Sequence, residues 1–231
     1  MESVLFDLDG TLVDTAPDFY RVVNEMLQED GVAPLSYPAI RSTVSDGARA
    51  LIKLAYGLDI GDEGFDEKRQ RLLDLYLEGI AVKSDLFAGL HEMVFWMTEN
   101  KLPLAIVTNK PRLYAEALLK ELLLDEKSLE HFTASLVCPD DVENRKPHPE
   151  PLLKACKEMK VNPENCIYVG DHARDIEAGK AANMKTIAAG FGYVHNEQDA
   201  ESWQADWLIN DSVELLPLLK NIRKKWPDIK S

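Results

Sequence analysis

Basic residues and cysteines are both scarce in this 231-residue chain. Lys and Arg total 26 against 40 Asp and Glu, giving a formal net charge of −14. That balance argues against nucleic acid or an anionic membrane as the main partner, because both would be repelled. It also constrains any anion site. Phosphate could be held here only by a metal ion, a few local cations and backbone donors, since the net field opposes it. The three cysteines (Cys138, Cys156 and Cys166) form no Cys-x-x-Cys pair. An odd number fits a reduced compartment better than a disulfide framework. No apolar run is long enough to span a bilayer. The opening Met-Glu-Ser-Val-Leu-Phe-Asp has an acid where a secretory signal would be basic, and its apolar run is too short, so a cytoplasmic location is expected. Internal repeats and low-complexity tracts are absent, and an apolar fraction of 45% is too high for disorder.

What is present is an alternation of short apolar runs with segments of helical period, the pattern of an α/β fold with a doubly wound, mostly parallel sheet. The runs Val4–Phe6, Leu104–Val107, Ser135–Val137, Ile167–Val169, Thr186–Ala189 and Trp207–Ile209 predict strands, most of them without polar alternation, as expected of strands covered on both faces. Helices are predicted from Pro111 to about Leu123, from Glu150 to Met159 and from near Ala173 to Asn183. After the first strand about 70 residues pass without a convincing sheet strand, far more than a crossover needs. Phe19, Val22, Val23, Met26 and Leu27 form one helical stripe there, and Leu72, Leu73, Tyr76 and Ile80 another. The expectation is an inserted α-helical cap at 16–83, with 1–15 and 84–231 forming the core domain. Pro17 and Lys83-Ser84-Asp85 would lie near the hinges.

Chemistry collects at the predicted strand ends. Asp7 and Asp9 stand two residues apart after the first strand, so both can face one side, and Gly10-Thr11 follows. An Asx-type turn with both acids solvated would need the same residues. Gly170-Asp171 closes a later strand, with Asp175 four residues on, in the first turn of a helix that an acid there would stabilise. Thr108-Asn109 ends another strand, where an N-cap for the following helix is the competing role. Lys146 precedes a helix in a rigid turn rich in proline, a place where a lysine is ordinarily solvated. Ligand sites of open α/β sheets form where the carboxyl ends of strands meet. The set as a whole therefore predicts one site. Oxygen ligands from Asp7, Asp171 and the backbone carbonyl of Asp9 suit Mg²⁺. Lys146 and the Thr108 hydroxyl supply a charge and a donor for phosphoryl oxygens.

This ordered set, Asp-x-Asp-Gly-Thr, a Thr strand end, Lys before Pro, and Gly-Asp-x-x-x-Asp, resembles the haloacid dehalogenase superfamily over essentially the whole chain. The resemblance implies that Asp7 is a nucleophile forming an aspartyl-phosphate, and that Asp9 protonates the leaving oxygen and then activates water. It implies that Thr108 and Asn109 hold the phosphoryl group and that Lys146 offsets charge. Asp171 would ligate Mg²⁺ together with Asp7 and the Asp9 carbonyl, with Asp175 behind them. His172 stands where many relatives have Ser or Thr, and is read as a loop side chain near the site. His91, His131, His148 and His195 have no metal-ligand spacing.

Within the superfamily the chain looks similar to the branch of phosphoglycolate phosphatases, which includes enzymes that remove the 6-phosphate of N-acetylmuramic acid. The segments Ser45-Asp46-Gly47-Ala48-Arg49-Ala50, Cys138-Pro139-Asp140-Asp141-Val142 and Lys146-Pro147-His148-Pro149-Glu150-Pro151 resemble the latter group. Gly47 would let backbone approach a ligand and Arg49 could pair with a substrate carboxylate, although glycolate and muramic acid both carry one. A solvated helix-surface role serves Arg49 equally. The implied activity is a phosphatase acting on a small phosphorylated metabolite. A sugar-phosphate phosphomutase on the same core is the alternative, and monomer and homodimer both remain compatible.

Overall fold

The computed structural model describes residues 1–194 and 197–229, so His195 lies outside the described residues. Six strands form one sheet in the order Trp207–Ile209, Lys185–Ala189, Cys166–Gly170, Ser3–Phe6, Leu104–Val107, Thr133–Val137. Every neighbouring pair is parallel. From the central Ser3–Phe6 strand the chain winds first to one edge and then returns to build the other, which makes the sheet doubly wound.

Alternation along each strand divides the core. Val4, Phe6, Leu104, Ile106, Ile167 and Val169 pack on one face with Leu90, Met93, Leu215 and Leu219. Leu5, Ala105, Val107 and Tyr168 pack on the other with Leu152, Ala155 and Ala178. Both faces are dry, so neither needs polar residues, and the strand sequences read as continuous apolar runs for that reason.

All six predicted strands are present, four of them longer than read by one residue or two. Helix Glu150–Met159 has the predicted bounds. Two helices differ at an end. Pro111, expected in the first turn, is instead the N-cap residue of helix Arg112–Glu121, because its ψ of 145° is extended. The helix from Ala173 stops at Ala181, and Asn183 turns the chain with a φ of 59°. Helices Leu90–Glu99 and Leu215–Ile229, not assigned from the sequence, cover the first face. No helix among the described residues is long and apolar enough to cross a membrane.

Between the first and second sheet strands lie helices Ala16–Glu29, Tyr37–Arg41, Gly47–Tyr56 and Phe65–Glu78. They enclose an apolar cluster of their own, with Phe19, Val22, Met26, Ile40, Leu51, Leu72 and Tyr76 buried together. The segment leaves and rejoins the sheet domain through a two-stranded pair, Val13–Asp14 against Asp85–Leu86. The fully buried Asp18 carboxylate fastens that junction by accepting from the backbone N–H of Lys83 and Ser84 and from the Ser84 hydroxyl, the last at 2.6 Å.

Candidate active site

The first strand delivers Asp7 to the carboxyl end of the sheet, between the ends of the strands that deliver Thr108 and Asp171. Gly10 makes the next turn with a φ of 83°. A Cβ at this position would collide with the Asp171 carboxylate and the Tyr193 ring. Glycine is therefore required twice over, by conformation and by space.

Asp7, Asp171 and Asp175 are all buried, and each offers a carboxylate oxygen within 4.8 Å of the others. Asp7 Oδ1 accepts from the Leu8 N–H at 2.8 Å and faces Lys146 Nζ at 2.8 Å, which fixes how the rest of the carboxylate points. Lys146 is buried and lies 2.8 Å from Asp175 Oδ1 as well. Its ammonium donates further to the Val107 carbonyl and the Tyr168 hydroxyl. Burial alone would push the Lys146 ammonium toward its neutral form, but Asp175 and Asp7 outweigh this and hold it charged.

One ammonium does not balance three carboxylates. Burial, together with the charges of Asp7 and Asp175, pushes the Asp171 carboxyl up to about 7. This happens although Asp171 accepts from the Tyr193 N–H at 2.9 Å and the Thr11 hydroxyl at 3.1 Å. Burial raises Asp7 too. A hard divalent cation fits such an all-oxygen, charge-excess cluster, since it supplies the missing positive charge. Asp175 lies beside the other two carboxylates and also caps its own helix by accepting from His172 N–H.

Thr108 is buried, with its N–H on the Val137 carbonyl and its hydroxyl accepting from Lys110 N–H at 3.1 Å. The helix that follows is capped at Pro111 rather than at Thr108 or Asn109. Asn109 donates to the Lys146 carbonyl at 3.2 Å, while its buried Oδ1 has no partner. Asp9 does not join the acidic trio through its carboxylate. Its Oδ1 accepts from Thr15 Oγ1 at 2.6 Å and from Lys110 Nζ at 2.9 Å.

His172 is the N-cap residue of helix Ala173–Ala181, with Nδ1 accepting from Arg174 N–H. Burial, with Arg174 beside it, lowers its affinity for a proton. From the segment around Gly47, Ser45 reaches the cluster, with Oγ 3.4 Å from Asp171 Oδ2. Arg174 donates to the Ser45 carbonyl at 2.8 Å. Arg49 is exposed and pairs with Asp59 at 2.6 Å. Gly47 has a φ of 81° with open space where a Cβ would sit. Sequence reasoning missed Lys110, Thr15, Ser45, Arg174 and Tyr193. Lys110 carried a signal in adjoining Thr108-Asn109, but nothing local marks a partner such as Asp9, a hundred residues away.

The model of the haloacid dehalogenase-like hydrolases matches residues 4–189. The chain belongs to this family. It is 41% identical to an N-acetylmuramic acid 6-phosphate phosphatase of Pseudomonas putida over 215 residues, which is 93% of this chain and 94% of the relative. It is 37% identical to a phosphoglycolate phosphatase of Xanthomonas campestris pv. campestris over 218 residues, 92% and 94% of the two chains. The crystal structure of a Haemophilus somnus protein, described as a predicted phosphoglycolate phosphatase, superposes with a TM-score of 0.79 over 95% of this chain and 98% of that one. At 23% identity that likeness speaks for the fold alone. Family and relatives together make the enzyme a phosphatase.

Proposed function

We propose that this phosphatase hydrolyses a small carboxylate-bearing phosphomonoester through an aspartyl-phosphate on Asp7, with Mg²⁺ held by Asp7, Asp171 and the Asp9 carbonyl. The observation that carries the reading is the pinning of buried Asp7 by Lys146 inside an acidic cluster whose charge is uncompensated. When bound, the metal supplies positive charge to the phosphoryl oxygens and allows an anionic nucleophile and an anionic substrate to approach.

The chain's own groups perform the rest. A carboxylate needs no prior deprotonation to act as a nucleophile at neutral pH. Asp7 attacks phosphorus, the bond from phosphorus to the ester oxygen breaks, and Asp9 gives that oxygen its proton. Water then attacks phosphorus while Asp9 takes a proton from it, the acyl phosphate bond breaks, and Asp7 is restored. Lys146 offsets charge between nucleophile and phosphoryl group, and Thr108 with Asn109 orients the phosphoryl oxygens. The unpartnered Asn109 amide oxygen and the neighbouring donors suit a ligand that presents both acceptors and hydroxyl groups.

The four inserted helices act as the cap over residues 16–83 in this reading, and select the leaving group. Their contacts with the core through Ser45 and Asp171, and through Arg174 and the Ser45 carbonyl, support this role. Gly47 lies in the same stretch. Arg49, engaged by Asp59, would have to exchange partners to meet a substrate carboxylate. The identity to the N-acetylmuramic acid 6-phosphate phosphatase makes that sugar phosphate the first substrate to test, ahead of phosphoglycolate. The phosphomutase alternative finds less support, because these relatives are phosphatases. Three buried thiols without disulfides are compatible with a cytoplasmic setting.

The test is Mg²⁺-dependent phosphate release from both compounds side by side, with Asp7→Asn as control. Preference for the sugar phosphate, abolished by Asp7→Asn, is expected. Accumulation of a sugar bisphosphate would turn the assignment to a mutase.

A further inference from the structure

Lys110 is the second buried ammonium of the molecule's active region, and the chemistry above does not use it. It lies three residues beyond strand Leu104–Val107, yet Tyr76 and Phe19 of the inserted helices both meet its ammonium. Nζ donates to Asp9 Oδ1 at 2.9 Å and to the Tyr76 hydroxyl at 3.0 Å. It also stands 4.6 Å from the Tyr76 ring centre and 5.3 Å from that of Phe19. Those two rings stack on each other, with centres 4.2 Å apart and planes within 5°. The Lys110 side chain is 6% exposed and that of Asp9 is 16% exposed.

A buried ammonium is costly unless it is paired and hydrogen-bonded. Asp9 alone would pair it, but the aromatic faces and the phenol hydroxyl exist only on helices Ala16–Glu29 and Phe65–Glu78. Thr15, the residue just before the inserted helices, donates to the same Asp9 oxygen as Lys110. Two donors on one oxygen fix the plane of the carboxylate and so the direction of its other oxygen.

We propose that Lys110 is a positioning residue that sets Asp9 for proton transfer and holds that geometry only while Tyr76 and Phe19 are seated on the core. Helix placement and proton delivery are thereby linked through one ammonium. This rests on the reading of Asp9 as the acid and base of the reaction.

The experiment uses the Mg²⁺-loaded full chain with two substrates. One is phosphoglycolate, whose leaving alkoxide needs a proton, and the other is p-nitrophenyl phosphate, whose leaving phenolate does not. Lys110→Met is expected to lower kcat for phosphoglycolate by about 100-fold with KM changed less than about threefold, the scale of a misplaced catalytic group. With p-nitrophenyl phosphate it should give a burst of nitrophenolate followed by slow turnover, because only the water-activating step still needs Asp9. Lys110→Arg should recover part of kcat. Tyr76→Phe removes one hydroxyl, keeps the packing, and should lower kcat by about tenfold. It carries the test should Lys110→Met fail to fold. The double variant should be no worse than Lys110→Met alone, since both act on one group.

Three results would overturn the inference: wild-type kcat in Lys110→Met, a rise in KM with kcat unchanged, or strictly additive losses in the double variant. Asp9→Asn separates the two levels. If Asp9→Asn turns over like wild type, the acid–base reading itself fails. If Asp9→Asn is inactive while Lys110→Met is normal, only the role of Lys110 falls.

Discussion

Lys146 Nζ lies 2.8 Å from Asp7 Oδ1, and solvent reaches essentially neither side chain, with exposures of 0% and 7%. The pair offsets part of the burial cost of each charge, and Asp175 adds to the support of Lys146. Lys146→Met removes the ammonium that contacts both Asp7 and Asp175, leaving buried carboxylates facing one another. Breaking a buried pair in this way costs about 3–5 kcal/mol. We expect a large fall in melting temperature and loss of phosphatase activity, with part of the stability restored by saturating Mg²⁺. Thermal melts with and without the ion check this. A variant as stable as wild type in EDTA contradicts it.

The acidic cluster gives the apo protein a pH dependence of definite sign. The Asp171 carboxyl sits near 7 in the folded chain against 3.8 for an ordinary aspartate. Between those values the folded state keeps a proton that the unfolded state has lost. This contribution to stability is complete below about pH 4 and disappears as pH rises through about 7. Asp7 is shifted in the same direction, so it adds to the trend. Bound metal takes the place of the proton, and its affinity should fall as pH drops below about 7. Melting curves in EDTA from about pH 5 to pH 8 should show a loss that Mg²⁺ abolishes and Asp171→Asn flattens. A cluster whose apo stability rose across the same range would be wired differently.

Asp18 predicts a local effect away from the chemistry. It accepts three donors from Lys83 and Ser84 and ties the end of the inserted segment to its beginning. Asp18→Ala should cost about 2–4 kcal/mol, because buried amides are left without acceptors. Hydrogen exchange at Lys83 and Ser84 should accelerate well before that of strand Ser3–Phe6. Equal acceleration of both would mean that the junction opens only with global unfolding.

The sheet could be read from sequence because its strands are buried on both faces. Leu104–Val107 has no polar position to blur it, and Cys166–Gly170 is buried throughout. The same burial made the cluster legible, since acids directly after dry strands have few structural reasons to be there. Leu90, Met93, Val94 and Met97 are spaced at helical period, so helix Leu90–Glu99 could also have been found. Lys110 was different in kind. Its place is defined by Tyr76, 34 residues earlier, and Asp9, 101 residues earlier, and no local pattern encodes those distances. Arg49 also pairs with a residue that its local context does not mark, Asp59.

Covalent chemistry at Asp7 is the centre of the account, and the most direct test looks for the phosphoryl group itself. Enzyme mixed with N-acetylmuramic acid 6-phosphate and Mg²⁺, quenched in acid and digested, should yield a phosphorylated peptide carrying Asp7. With p-nitrophenyl phosphate, whose leaving phenolate needs no proton, the modified fraction should be higher in Asp9→Asn, where water lacks its base. Phosphate release by an Asp7→Asn variant, with no phosphopeptide in wild type or Asp9→Asn, would contradict it.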